Sequence, residues 1–237
     1  MRTLQMVTLT TALAAFAGGT VDARPGASAW QDPTPGGDTE AQAARYGESP
    51  LRIVALGDSL TSGHRLPRSE AYPAWLQTEL WTAGLPATVI NHGVNGDTTA
   101  GALRRLAAAL DDDPHILIVA LGANDGLRGV PVTQVRANLE RIVERAQAEG
   151  VAVLLVGMEA LPLYGWQYTI DFHHVFPNLA AKYGVPLVPF MLNGVLGNPD
   201  LMSPDGLHPN AAGARTMAAN ILPHLHSLVS DLIAGTR

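Results

Sequence analysis

From Leu51 to Leu228 short apolar runs alternate with longer segments in which apolar residues recur every three or four positions. The short runs predict strands at Arg52 to Leu56, Thr88 to Asn91, Ile116 to Leu121, Val151 to Val156 and Pro186 to Val188. The longer segments predict helices over Tyr72 to Ala83, Thr98 to Leu110, Val132 to Glu149, Ile170 to Tyr183 and Asn210 to Leu228. In the third of these, Val135, Leu139, Ile142, Val143 and Ala146 form one core-facing stripe. Strand and helix in regular alternation predict βα units around a parallel sheet, an α/β domain with five strands.

The pattern changes before Leu51. Residues 1–23 have the layout of a secretory signal: Arg2 near the start, an apolar stretch from Val7 to Ala17, then small residues. Cleavage is expected after Ala17 or Ala23, with Ala23 preferred. Residues 24–50 turn to Pro, Gly, Ala and Ser, a composition that buries too little apolar surface to order itself, and predict a flexible leader. The domain is therefore expected over residues 51–237, and the location as periplasmic or secreted.

Composition narrows the class further. With 47% hydrophobic and 15% charged residues, the 237-residue chain is suited to a single compact domain rather than to disorder. A net charge of -6 provides no basic stripe, so nucleic acid is not an expected partner. Beyond the N-terminal run no segment is apolar over a bilayer's length, so no stable membrane insertion is expected after processing. Cysteine is absent, which excludes a disulfide framework, a thiolate metal site and a lipid-modified cysteine anchor. Adjacent His173 and His174 would face different sides of a helix, so no metal is expected there. Nothing in the sequence sets the oligomeric state.

The chemistry-bearing residues follow the predicted strands. Ser59 comes after the first, in Gly57-Asp58-Ser59-Leu60, and Asn95-Gly96-Asp97 after the second. Gly122-Ala123-Asn124-Asp125 follows the third, and Asp205-Gly206-Leu207-His208-Pro209 lies beyond the fifth. In a parallel sheet these loops share one edge, where ligands generally bind. A serine hydroxyl is a poor nucleophile unless a base takes its proton and a third group orients that base. Ser59, His208 and Asp205 supply those three residue types. The Gly-x-Ser-x-Gly elbow is missing around Ser59, which disfavours the larger α/β-hydrolase fold.

Taken in order, these blocks resemble the GDSL or SGNH hydrolases over residues 51 to about 230. The run from Gly122 to Gly129, Asn95-Gly96-Asp97-Thr98 and Val185-Pro186-Leu187-Val188-Pro189-Phe190 resemble more closely the bacterial periplasmic thioesterase, arylesterase and lysophospholipase branch. The resemblance implies a three-layer flavodoxin-like fold and a cofactor-free hydrolase of small acyl, aryl, thioester or lysophospholipid substrates. It implies Ser59 as nucleophile, His208 as base and Asp205 as the group that orients the base. It also implies an oxyanion hole of Ser59, Gly96 and Asn124, with the dipole of a helix opened by Ser59 assisting. Gly93 lies close enough in sequence to be mistaken for Gly96. Asp58 and Asp97 are expected to hydrogen-bond backbone amides rather than take part in chemistry.

Between Met158 and Tyr168 an apolar, aromatic loop is expected either to wall an acyl or aryl pocket or to pack under the next helix. Gly126 to Pro131 resembles a mobile family segment beside the oxyanion asparagine. Met158-Glu159-Ala160 departs from the more basic approach of relatives, so the resemblance does not extend to charged head groups. Two other readings stand beside the esterase: a carbohydrate deacetylase, which needs an open groove, and a non-catalytic binder, which needs no base opposite a hydroxyl.

Overall fold

A computed structural model describes residues 50–235. The expected secretory signal and most of the leader lie outside the described residues. The first strand begins at Leu51, and five strands follow one another in a single parallel sheet: β1 (Leu51–Gly57), β2 (Ala87–Gly93), β3 (Ile116–Ala120), β4 (Ala152–Val156) and β5 (Leu187–Val188). Their order across the sheet is β2-β1-β3-β4-β5, the flavodoxin-like doubly wound arrangement. The three central strands read as continuous apolar runs because helices cover both faces. Ile53 to Leu56, Ile116 to Ala120 and Val153 to Val156 are buried accordingly.

Helices α1 (Ser59–Ser62), α2 (Tyr72–Thr82), α3 (Thr99–Arg104), α4 (Leu106–Leu110), α5 (Ala123–Arg128), α6 (Val132–Ala148), α7 (Trp166–His173), α8 (Val175–Tyr183) and α9 (Ala211–Gly235) complete the described elements, with short 3-10 turns at Arg68–Glu70 and Pro162–Tyr164. Helices α2 and α9 pack together on one side, while α6 packs against α3 and α8. The apolar stripe of α6 is fully buried.

Two expected helices are each broken in two, for different reasons. The segment over Thr98 to Leu110 breaks at Arg105, whose backbone leaves helical geometry. Its guanidinium instead reaches inward, donating to the Asp97 carboxylate and to the carbonyls of His92 and Gly57. The segment over Ile170 to Tyr183 begins earlier, at Trp166, and breaks at His174. Pro177, third in α8, has no N–H for the carbonyl of His173, so one continuous helix would lose a bond there. The last helix runs to Gly235, seven residues beyond expectation, through Pro223.

Candidate active site

The turn after β1 is built by close packing. A Cβ on Gly57 would lie 1.9 Å from Thr61 Oγ1 and 2.9 Å from the Ala120 carbonyl, so only glycine fits where β1 meets β3. Asp58 is fully buried and caps α1, its Oδ1 accepting from the Leu60 amide at 2.9 Å. This places half-buried Ser59 as the first residue of a single helical turn. With only four residues, α1 supplies the expected backbone amide, and the dipole expected to assist it is that of a single turn.

Near the other end of the sequence a short loop folds back on itself. Met202 and Pro209 form an antiparallel bridge, and the Ser203 amide donates to the His208 carbonyl at 2.7 Å. Gly206 takes a φ of 66°, which turns the chain between Asp205 and His208. Asp205 Oδ1 then accepts from the amides of Leu207 and His208, while Oδ2 meets His208 Nδ1 at 2.8 Å. These contacts, led by the His208 amide and then its ring, hold the Asp205 carboxyl well below the usual carboxylate range. Nε2 of His208 lies 3.1 Å from Ser59 Oγ. The structure thus joins Ser59, His208 and Asp205 in one hydrogen-bonded row across 149 positions of sequence.

Asn124 enters at the start of α5. Its Nδ2 donates one hydrogen to Asp58 Oδ2 at 3.3 Å, which leaves the second amide hydrogen for the cavity. Burial pushes the Asp58 carboxyl up to about 6, opposed by the bonds from Leu60 and Asn124. Asp125, also buried, accepts from the Thr99 amide and hydroxyl at 2.9 and 2.7 Å, tying the α5 turn to α3. Asn138 on α6 donates in turn to the Thr99 hydroxyl. Gly96 follows β2 at a φ of 74°, a conformation that favours glycine, and no atom other than the tip of Arg128 crowds its Cβ position. Gly93 is different in kind: a Cβ there would strike the Ser62 backbone at 2.1 Å, so it is a packing glycine. Asp97 binds Arg105 and its own neighbour Thr98, in keeping with a supporting place.

Ser59, Gly96, Asn124 and His208 line one cavity of about 250 Å³ at the carboxyl edge of the sheet. Its walls are largely apolar, with Met158, Ala160, Phe190, Leu192, Leu196 and Leu207 contributing. The loop leaving β4 takes both expected roles in part and a third that was not expected, exposure to solvent. Its first residues, Met158 to Leu161, line the cavity, whereas Leu163, Tyr164 and Trp166 face outward and Tyr168 packs against Phe172. The segment at Gly126 is a helical turn anchored by neighbours: Tyr164 donates to the Leu127 carbonyl, Tyr168 to that of Val130 and Arg128 to that of Gly96. Glu159, at the cavity wall, pairs with His173 at 2.7 Å.

His64 is the residue that sequence reasoning passed over. Its ring lies 4.2 Å from the His208 ring, centroid to centroid, and its Nδ1 is buried without a hydrogen-bond partner. A histidine five positions after the serine carries no motif, and only the return of the chain through Gly63 at a φ of 71° brings it back. His64, Asp205 and His208 hold ligand-type atoms within 4.8 Å of one another. Both ring nitrogens of His208 are engaged by Asp205 and Ser59, so a metal there would have to displace that row.

Residues 55–216 match the model of the GDSL-like lipase/acylhydrolase family. The chain is 36% identical over 179 residues to an arylesterase of Vibrio mimicus, covering 73% of this chain and 90% of that protein. It is 35% identical over 179 residues to thioesterase 1/protease 1/lysophospholipase L1 of Escherichia coli K12, covering 75% of this chain and 85% of that one. The crystal structure of TesA superposes with a TM-score of 0.72 at 38% identity, covering 75% of this chain and 99% of that chain.

Proposed function

From the premise that the chain belongs to the GDSL-like lipase/acylhydrolase family, we propose that it is an exported serine esterase and thioesterase acting on small acyl, aryl or lysophospholipid substrates. The observation that carries this reading is the row Asp205–His208–Ser59 opening into an apolar cavity. In the first half-reaction His208 Nε2 takes the Ser59 proton as Oγ attacks the carbonyl carbon. Asp205 holds His208 with Nε2 facing the serine and stabilises the imidazolium that forms. The oxyanion is received by the amides of Ser59 and Gly96 and by the free amide hydrogen of Asn124. His208 protonates the departing alcohol or thiol, and an acyl-enzyme remains. In the second half-reaction His208 activates water, which releases the acid and restores Ser59. No cofactor enters either step.

The substrate class follows from the walls. A largely apolar cavity suits an acyl or aryl group better than a carbohydrate, which would require polar partners along its walls. The names of the relatives, arylesterase and thioesterase 1/lysophospholipase L1, point the same way. Residues 1–23 are read as the export signal and 24–50 as a leader, which places the enzyme in the periplasm or outside the cell. No described helix is long and apolar enough to cross a membrane.

The test is hydrolysis of p-nitrophenyl esters and acyl thioesters of increasing chain length, with Ser59→Ala in parallel. Turnover by the unsubstituted protein, abolished in the variant, is the expected result. A folded protein that turns over none of these substrates removes the esterase reading.

A further inference from the structure

Apolar exposure is distributed unevenly over this molecule. Among the described residues the exposed large apolar side chains all follow the carboxyl ends of strands. Val94 is next to the Asn95-Gly96 turn, five more lie between Leu161 and Ile170, and Leu196 and Leu207 flank the His208 loop. The outward faces of α2, α6, α8 and α9 carry none. Singly scattered exposed apolar residues are ordinary, whereas a set gathered on one edge marks an interaction surface. Leu161, Leu196 and Leu207 also line the cavity, so the apolar surface continues into its mouth.

The most exposed member is Trp166, at 72%, with Leu163 at 63% and Tyr164 at 51%. Aromatic side chains with one polar atom settle at the boundary between water and hydrocarbon. The charge on the adjoining elements is mixed: Arg128, bonded to the Gly96 carbonyl, stands against Glu159 at the cavity wall and Asp171 in α7, and the whole chain carries -6. An anionic surface would be repelled or at best ignored, since its attraction depends on clustered Lys and Arg.

We propose that the carboxyl-edge loops are an adsorption face, by which the protein docks on a zwitterionic lipid–water interface with the segment Leu161 to Ile170 inserted among the headgroups. The mouth of the cavity then faces the lipid, and an acyl chain passes into it without crossing water. This rests on the acyl-ester reading for its purpose, but adsorption itself does not depend on catalysis.

Binding is measured by flotation with phosphatidylcholine vesicles, in a Ser59→Ala background so that no lipid is consumed. Leu163→Ser/Trp166→Ser is compared on that background, and since both proteins share one N terminus, the difference reports the edge alone. The expected result is at least a tenfold lower vesicle partition for the double variant. The same double substitution on an intact Ser59 leaves hydrolysis of soluble p-nitrophenyl acetate and the thermal midpoint unchanged. Equal partition of the two proteins, or no binding by either, overturns the proposal. So does binding confined to phosphatidylglycerol vesicles and reversed by salt, and so does a dimer in solution that the double variant dissolves, which would make the face a contact between copies. Failure of the esterase reading is seen separately, as absent turnover by the unsubstituted protein.

Discussion

The two turns that bring Ser59 and His208 together are held by opposite means. The β1 turn is buried: Gly57 is pressed against Thr61 and Ala120, Asp58 is sealed from solvent, and Thr61 bonds the buried Tyr72 hydroxyl at 3.1 Å. The His208 loop is largely exposed and is held by hydrogen bonds within a few residues of itself. Each turn contains an aspartate, and the two are driven in opposite directions. Burial raises the Asp58 carboxyl to about 6, whereas three contacts in a solvated loop lower that of Asp205. Burial therefore provides rigidity at an electrostatic cost, and local hydrogen bonding provides a charged, oriented carboxylate without one.

Replacing Asp205 by Asn should break the exposed side most severely. An amide hydrogen facing His208 Nδ1 favours the wrong tautomer, and kcat should fall about 10⁴-fold, the scale known for this change in a serine protease triad. The thermal midpoint should move by only a few degrees, because the loop packs little apolar surface. A loss of activity accompanied by unfolding would show that the loop is not locally determined.

Asn124→Ala tests what the buried side positions. Steady-state kinetics on a short p-nitrophenyl ester should show a kcat lowered by roughly a hundredfold or more with KM little changed, as for removal of an oxyanion donor. Normal kcat would take Asn124 out of the oxyanion hole. His64→Ala removes the ring packed at a tilt against His208, and about a tenfold fall in kcat is expected from the looser imidazole. An unchanged kcat would reduce His64 to a cavity wall.

Asp58→Asn should sharpen the contrast through pH. The native Asp58 carboxyl binds its proton up to about pH 6, above the usual carboxylate range, so native protein holds more protons than unfolded protein in between. Stability contributed by this group is full below about pH 4, declines as pH rises to about 6, and is lost above it, a total on the order of 3 kcal/mol. Asp205 has the reverse sign: its contribution is present above the usual carboxylate range and is lost on acidification. Urea unfolding of Asp58→Asn between pH 4 and 7 should show the first decline flattened. An unaltered slope would mean that Asp58 is not the group responsible.

Elements with strong periodicity were legible in the chain. The α6 stripe and the five apolar runs needed no tertiary information, since burial on one face or on both writes itself into the spacing of Val, Ile and Leu. Breaks such as Arg105 were not legible, because a good helix former left the helix to bind three partners on other elements. Pro177 was visible but ambiguous, since proline is tolerated in the first turn of a new helix.

At the site, Ser59, Gly96, Asn124, Asp205 and His208 stand in short blocks whose glycines and turn residues mark them locally. The packing of His64 against His208 and the bond from Asn124 to Asp58 leave no trace in sequence, because each joins segments that meet only in space. By itself the sequence determined the alternation of strands and helices, and with it the edge on which every strand-end motif must fall, since the order of a parallel βα chain gives its loops no other place. Only the tertiary structure decided which half of the Met158–Tyr168 loop lines the cavity and which faces solvent. Both halves mix apolar with polar residues, Glu159 in one and Gln167 in the other, and the difference comes from how the Pro162–Tyr164 turn sets Tyr164 against Leu127 and Gly129.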